Sequence, residues 1–266
     1  MAKMTVRRKL AIAAYDAPRE GNIYGKLVVD AGPGLRYLEE VRKKTGEKVS
    51  FTHLVGRAVA EALKQAPTLN GRIVFGSFEP FPTVDIAFLV ALEDGQDLAR
   101  AKICEVEKKS VAQIASELSS KCGKLRNASD EAYEKSKQAI RTMPTWLLKP
   151  MLNFTGFLAS SLGLNIPALG VEPFPFGSCI VTSVGMFGLE EGFVPPTPFT
   201  RVPVYILVGA VKERPAVIDG KIQIQPQLTL TATIDHRFID GAQLAVLAKV
   251  VRSVLENPYQ LDEQKA

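Results

Sequence analysis

Two histidines, three cysteines and one tryptophan in 266 residues leave few side chains of the kinds that bind transition metals or build a disulfide framework. Cys104, Cys122 and Cys179 lie far apart and show no metal-ligand spacing, which argues against a zinc site, and no metal is expected. The first residues carry no apolar signal-peptide core, so with so few cysteines a reducing, cytoplasmic setting is predicted. No internal repeat, low-complexity tract or Ala/Pro-rich linker is visible, and one folded unit over 1–266 is expected. Charge of one sign is not gathered anywhere: 33 Lys and Arg are interleaved with 28 Asp and Glu. The net +5 therefore predicts no nucleic-acid partner and suits a small anionic ligand equally well.

What is present is a mixed α/β pattern. Strands are predicted over 24–30, 84–92, 178–183, 202–212 and 221–234, the last two flanking a turn that contains Asp219 and Gly220. Helices are predicted over 35–44, ending before Gly46, and over 49–65 with Leu54, Ala58, Ala62 and Gln65 on one face. Two more are predicted over 108–121 and 242–255. Strict alternation at Leu228, Leu230, Ala232 and Ile234 marks a strand with one buried face.

That strand runs into the segment TATIDHRFIDGAQL (231–244), which puts His236 and Asp240 between a strand end and a helix start. A histidine there can present a ring nitrogen to a ligand, and an aspartate four positions on can brace the loop or cap the helix. By itself the H-x-x-x-D spacing is weak, because a surface histidine before a capping aspartate is common. His53 has no carboxylate at close spacing and reads as a helix-start or interface residue.

Three tracts in order add specificity: KVSFTHLVGRAVAEALKQAPTLNG at 48–71, CIVTSVGMFG at 179–188, and 203–258 with LTLTATIDHRFIDGAQLA. Together they resemble the catalytic domain of the dihydrolipoamide acyltransferases of 2-oxo acid dehydrogenase complexes, within the chloramphenicol acetyltransferase-like superfamily. Asp235, His236, Arg237, Asp240, Gly241 and Ala242 match the family's Asp-His-Arg-x-x-Asp-Gly-Ala pattern. The additional histidine of chloramphenicol acetyltransferase is replaced by Asp235, which makes the lipoamide branch the closer likeness.

The resemblance implies an α+β sandwich of a mixed sheet with flanking helices, and acyl transfer between coenzyme A and a thiol such as dihydrolipoamide. It implies His236 as general base and Thr182 as oxyanion donor, with Ser183 as the adjacent alternative. Asp240 is implied as a brace paired with Arg8, or with Arg7 next in line; a solvated basic terminus is the other reading of those arginines. Gly241 fits a backbone-geometry role, and Gly185 and Gly188 are expected to turn the chain after the Thr182 strand. A homotrimer is implied, with His236 of one copy facing Thr182 of the next, extending in some relatives to a larger symmetric assembly.

The sequence departs from the family at 124–176, about fifty residues where a short connection is usual. A helix is predicted from Asp130 and Glu131 to Arg141, then a second apolar segment over 151–164. This insertion reads as trimer packing, as the wall of a pocket for a longer acyl chain, or, through Lys135, Lys137, Arg141, Trp146 and Lys149, as an anchor to a membrane surface. No lipoyl or subunit-binding domain is seen, so a lipoyl group would come from another, lipoyl-bearing chain. A self-assembling cage or scaffold with little activity is the alternative expectation.

Overall fold

The computed structural model describes residues 21–92, 97–127 and 129–263. Its main sheet has six strands: β1 (Asn22–Asp30), β4 (Ile86–Leu92), β5 (Asp97–Ile103), β6 (Cys179–Ser183), β7 (Val204–Ile218) and β8 (Lys221–Asp235). The spatial order is β1-β8-β7-β6-β4-β5, with β6 parallel to both its neighbours and the other pairs antiparallel. Strand β8, from the C-terminal part of the chain, thus lies between β1 and β7, pairing Asn22 with Asp235 and Asp30 with Gln227. The turn joining β7 to β8 has positive φ at Asp219 (51°) and Gly220 (75°), the geometry of a two-residue hairpin loop matched to strand twist. A second hairpin, β2 (Gly71–Val74) and β3 (Ser77–Pro80), turns at Phe75 and Gly76.

Helices α1 (Gly32–Thr45), α2 (Phe51–Gln65), α3 (Val111–Arg126) and α6 (Gly241–Glu256) cover one face. α1 stops where Gly46 takes a left-handed φ of 75°, and the Arg42 guanidinium donates to the carbonyl of Val49. α2 is buried from Leu54 through Leu63, more fully than its one-face pattern predicts, while Gln65 is exposed. Small residues allow this: a Cβ at Gly56 would sit 2.5 Å from the Phe88 ring, so the helix lies against β4 at glycine distance. The one ion pair inside it, Arg57 to Glu61 at 3.1 Å, keeps two buried charges matched. Behind these helices β8 contributes Leu228, Leu230 and Ile234, β7 Val204 and Val208, and β6 Cys179 and Val181.

The opposite face is different. Ala87, Ile180, Val202 and Tyr205 form a small cluster there with Leu89, Phe176 and Val194, beside the buried hydroxyls of Thr229, Thr231 and Thr233. It is overlaid by the loop after β6 and by the elements of 127–176: α4 (Glu131–Thr142), capped by the Asp130 carboxylate accepting from the Tyr133 N–H at 3.0 Å, and α5 (Thr145–Gly156). A π-helical turn, Phe157–Ser161, follows α5 directly. The expected second apolar segment over 151–164 is therefore two pieces: α5 begins earlier, at Thr145, and its backbone changes pitch at Phe157.

Candidate active site

The segment carrying His236 is held from both ends. Asp235 closes β8, and its carboxylate accepts from the backbone N–H and guanidinium of Arg237 at 2.5–3.0 Å. The His236 N–H donates to the carbonyl of Gly21 at 2.9 Å, continuing the β1–β8 ladder by one bond. Phe238 and Ile239 are buried, Phe238 edge-on to Phe78, and they pin the turn to the core. His236 and Arg237 are left exposed at its tip.

Asp240 then starts α6. Its backbone is extended, and its carboxylate accepts from the N–H groups of Ala242 (3.0 Å) and Gln243 (3.2 Å), while the Gln243 side chain accepts from the Asp240 N–H at 3.3 Å. Of the two roles open to Asp240, helix capping is the one seen. Arg7 and Arg8, and so the pairing expected of them, lie outside the described residues. The backbone-geometry role expected of Gly241 is not required within the chain, since it has no positive φ and a Cβ there would meet nothing within 4 Å. Gly188 does turn the chain after β6 with φ 74°, and a Cβ on Gly185 would come within 2.9 Å of the Gly209 carbonyl.

Thr182 and Ser183 sit near the C-terminal end of β6, both partly buried. Thr182 alternates with Ile180 and so belongs to the threonine-rich face; its row across the sheet runs through Leu207 and Thr231. His236 lies five residues beyond Thr231 and two strands away from β6. At about 3.3 Å per residue along a strand and about 4.8 Å between strands, the two are separated by roughly 20 Å within one chain. Two short side chains cannot close that gap, so a single copy does not bring the expected base and oxyanion donor together.

His53 serves structure. Its Nδ1 accepts from the Ser50 N–H at 2.9 Å as part of the α2 capping box, and burial pushes its pKa down to about 4. The Cys179 thiol is fully buried and raised well above its ordinary range by desolvation, which makes it inert. Among the described residues no group of three or more His, Cys, Asp or Glu is placed to hold a metal ion, and no helix is long and apolar enough to cross a membrane.

One feature had no sequence signal beyond the insertion itself. Between the threonine-rich face and the 127–176 elements lies a cavity of about 920 Å³, walled by Leu89, Ile180 and Tyr205 below and by Leu152, Ala159 and Ser160 above.

Comparison with known proteins gives this architecture a family. A probable dihydrolipoyllysine-residue succinyltransferase component of the mitochondrial 2-oxoglutarate dehydrogenase complex of Schizosaccharomyces pombe is 26% identical over 230 residues, covering 85% of this chain and 41% of its own length. This chain thus spans less than half of that relative. A probable dihydrolipoamide acetyltransferase from Listeria monocytogenes superimposes with a TM-score of 0.69 at 22% identity, covering 96% of this chain and 94% of that one. A chloramphenicol acetyltransferase superimposes at 0.51 and 14% identity over 95% and 96% of the two chains, so the expected fold is the one observed. The family model for the catalytic domain of the 2-oxoacid dehydrogenases acyltransferases matches residues 22–139 and 168–262, leaving 140–167 unmatched, and this chain belongs to that family.

Proposed function

We propose that the chain moves an acyl group between coenzyme A and a thiol acceptor such as dihydrolipoamide, at a site completed by a second copy of itself. The observation that carries this reading is the offset between Thr182 and His236. Family membership assigns acyl-transfer chemistry to the fold, and the β6–β7–β8 register keeps base and oxyanion donor too far apart to work in one chain. A cyclic homotrimer supplies the missing half: His236 of one protomer faces Thr182 of the partner subunit. A cytoplasmic setting accompanies the reading.

The chemistry needs little else. A thiol with a pKa of about 8.5 is mostly protonated at neutral pH, and an exposed imidazole carried on a turn held at both ends can remove that proton as attack begins. The new sulfur–carbon bond places negative charge on the carbonyl oxygen, to which the threonine hydroxyl donates. Collapse re-forms the carbonyl, breaks the original thioester bond and expels the first thiol as thiolate, which recovers the proton from His236. Asp240 acts at one remove, fixing where α6 begins and hence the exit of the turn.

The direct test mixes two inactive proteins. His236→Ala and Thr182→Ala are each expected to lose nearly all transfer from acetyl- or succinyl-coenzyme A to dihydrolipoamide. Mixed trimers contain some interfaces with both native residues, so about one quarter of the wild-type activity should return after random reassembly. Absence of recovery in trimers shown to have exchanged would place base and donor in the same chain and reject the shared site.

A further inference from the structure

We propose that the cavity between the β4–β6 face and the 127–176 elements receives the tail of an acyl thioester longer than acetyl or succinyl, making this chain a medium- to long-chain acyl-binding member of its family. The inference rests on the acyl-transfer reading and extends it to substrate class.

Position comes first. Ile180, in the cavity wall, is two residues before Thr182 on the same strand, and the two side chains share a sheet face. The opening thus begins about 7 Å from the expected oxyanion donor, at the spacing of alternate strand residues. A thioester whose carbonyl meets Thr182 can extend its chain along β6 past Ile180 and Tyr205 and beneath the insertion.

Size and lining agree. About 920 Å³ lies near the upper end of the range for small-molecule sites and far exceeds a two- or four-carbon acyl group. Charged groups in the wall are already engaged. Arg100 donates to Glu172 (2.8 Å) and the Pro175 carbonyl (2.9 Å), and Lys102 to the carbonyls of Pro173 and Phe174. Lys121 donates to the Lys102 carbonyl and pairs with Glu117, Lys137 lies over the Tyr133 ring, and Lys124 and Lys135 are exposed to solvent. An uncharged chain therefore fits the interior better than one ending in a carboxylate.

A second observation is independent of shape. Ser160 lines the cavity, with its hydroxyl buried within the wall. Ser160 stands in the π-helical turn Phe157–Ser161, a backbone irregularity that recurs at functional sites. Both the turn and the roof residue Leu152 fall within the stretch that the family model leaves unmatched.

The experiment is calorimetric titration of the intact wild-type oligomer with saturated acyl-coenzyme A thioesters from acetyl to dodecanoyl, with succinyl-coenzyme A alongside. Affinity should rise by about fourfold per added methylene until the cavity is filled. Leu152→Trp, which places an indole in the cavity, should cut the dodecanoyl-to-acetyl affinity ratio at least tenfold. Trp146→Ser, outside the cavity, should keep the wild-type ratio. A flat chain-length series, a preference for succinyl over the uncharged chains, or an unchanged ratio in Leu152→Trp overturns the proposal. A flat series with acetyl transfer that depends on His236 would reject the cavity while sparing the catalytic reading; length-dependent binding without transfer to dihydrolipoamide would do the reverse.

Discussion

The two faces of the six-stranded sheet have been built to different ends. The helical face is closed by aliphatic side chains packed closely around small residues, with no room for a Cβ between Gly56 and the Phe88 ring. The other face carries buried threonines, a small cluster around Ile180 and Tyr205, and an open volume under an inserted roof. Close packing on one side gives the sheet its rigidity, which lets the other side keep hydroxyls and empty space that a core would not tolerate. Stability and chemistry should therefore respond to different substitutions.

The sharpest separation is expected at His236. His236→Ala should lower transfer by about 10²–10⁴-fold while leaving the urea midpoint unmoved, because the ring is exposed and only its backbone N–H holds structure. Thr182→Ala, on the other face, should cost about 10²–10³-fold in kcat with little change in KM. A truncation behind the helices should invert the pattern. Leu54→Ala leaves a hole in a fully buried site and should destabilise by about 2–5 kcal/mol in urea titration, with turnover per folded protein preserved. If Leu54→Ala instead abolished turnover in fully folded protein, the division between the faces would fail.

Much of the His236 turn is legible in the residues. The alternation of β8, the Asp-His-Arg turn and the capping aspartate are local patterns, and local hydrogen bonds then build them: Asp235 with Arg237, Asp240 with Gln243. Gly46, Asp219 and Gly220 likewise mark their turns by the positive φ they adopt. The short β2–β3 hairpin and β5 carry no comparable local pattern. In β5, Ala99 and Ala101 alternate with Arg100 and Lys102, a pattern of weak strand formers that only pairing with β4 makes into a strand. The separation of Thr182 from His236 has no local signature, because it arises from register across three strands. The cavity is of the same kind, assembled from residues as distant as Leu89 and Tyr205.

Smaller effects sharpen the comparison at its margins. Asp240→Ala removes a helix cap and should cost about 0.5–2 kcal/mol, measurable as a lower denaturant midpoint. His53 offers a pH signature of the helical side. Its folded pKa of about 4 lies below the ordinary 6.5, so between these values the unfolded chain binds a proton that the folded chain refuses. The resulting stability is complete above about pH 6.5 and is lost progressively as the pH falls toward 4. In His53→Gln that part of the acid slope should vanish; an unchanged slope would show that other groups set it.

The pairing of β1 with β8 also sets a clock. Asn22 meets Asp235 across the ladder, so β1 waits for a partner strand synthesised long after it. At ribosomal rates the interval between their synthesis is about 10–40 s, during which β1 has no edge to join. Every nascent chain thus passes through a period with an incomplete sheet, whose unpaired strand edges are open to other chains until β8 arrives.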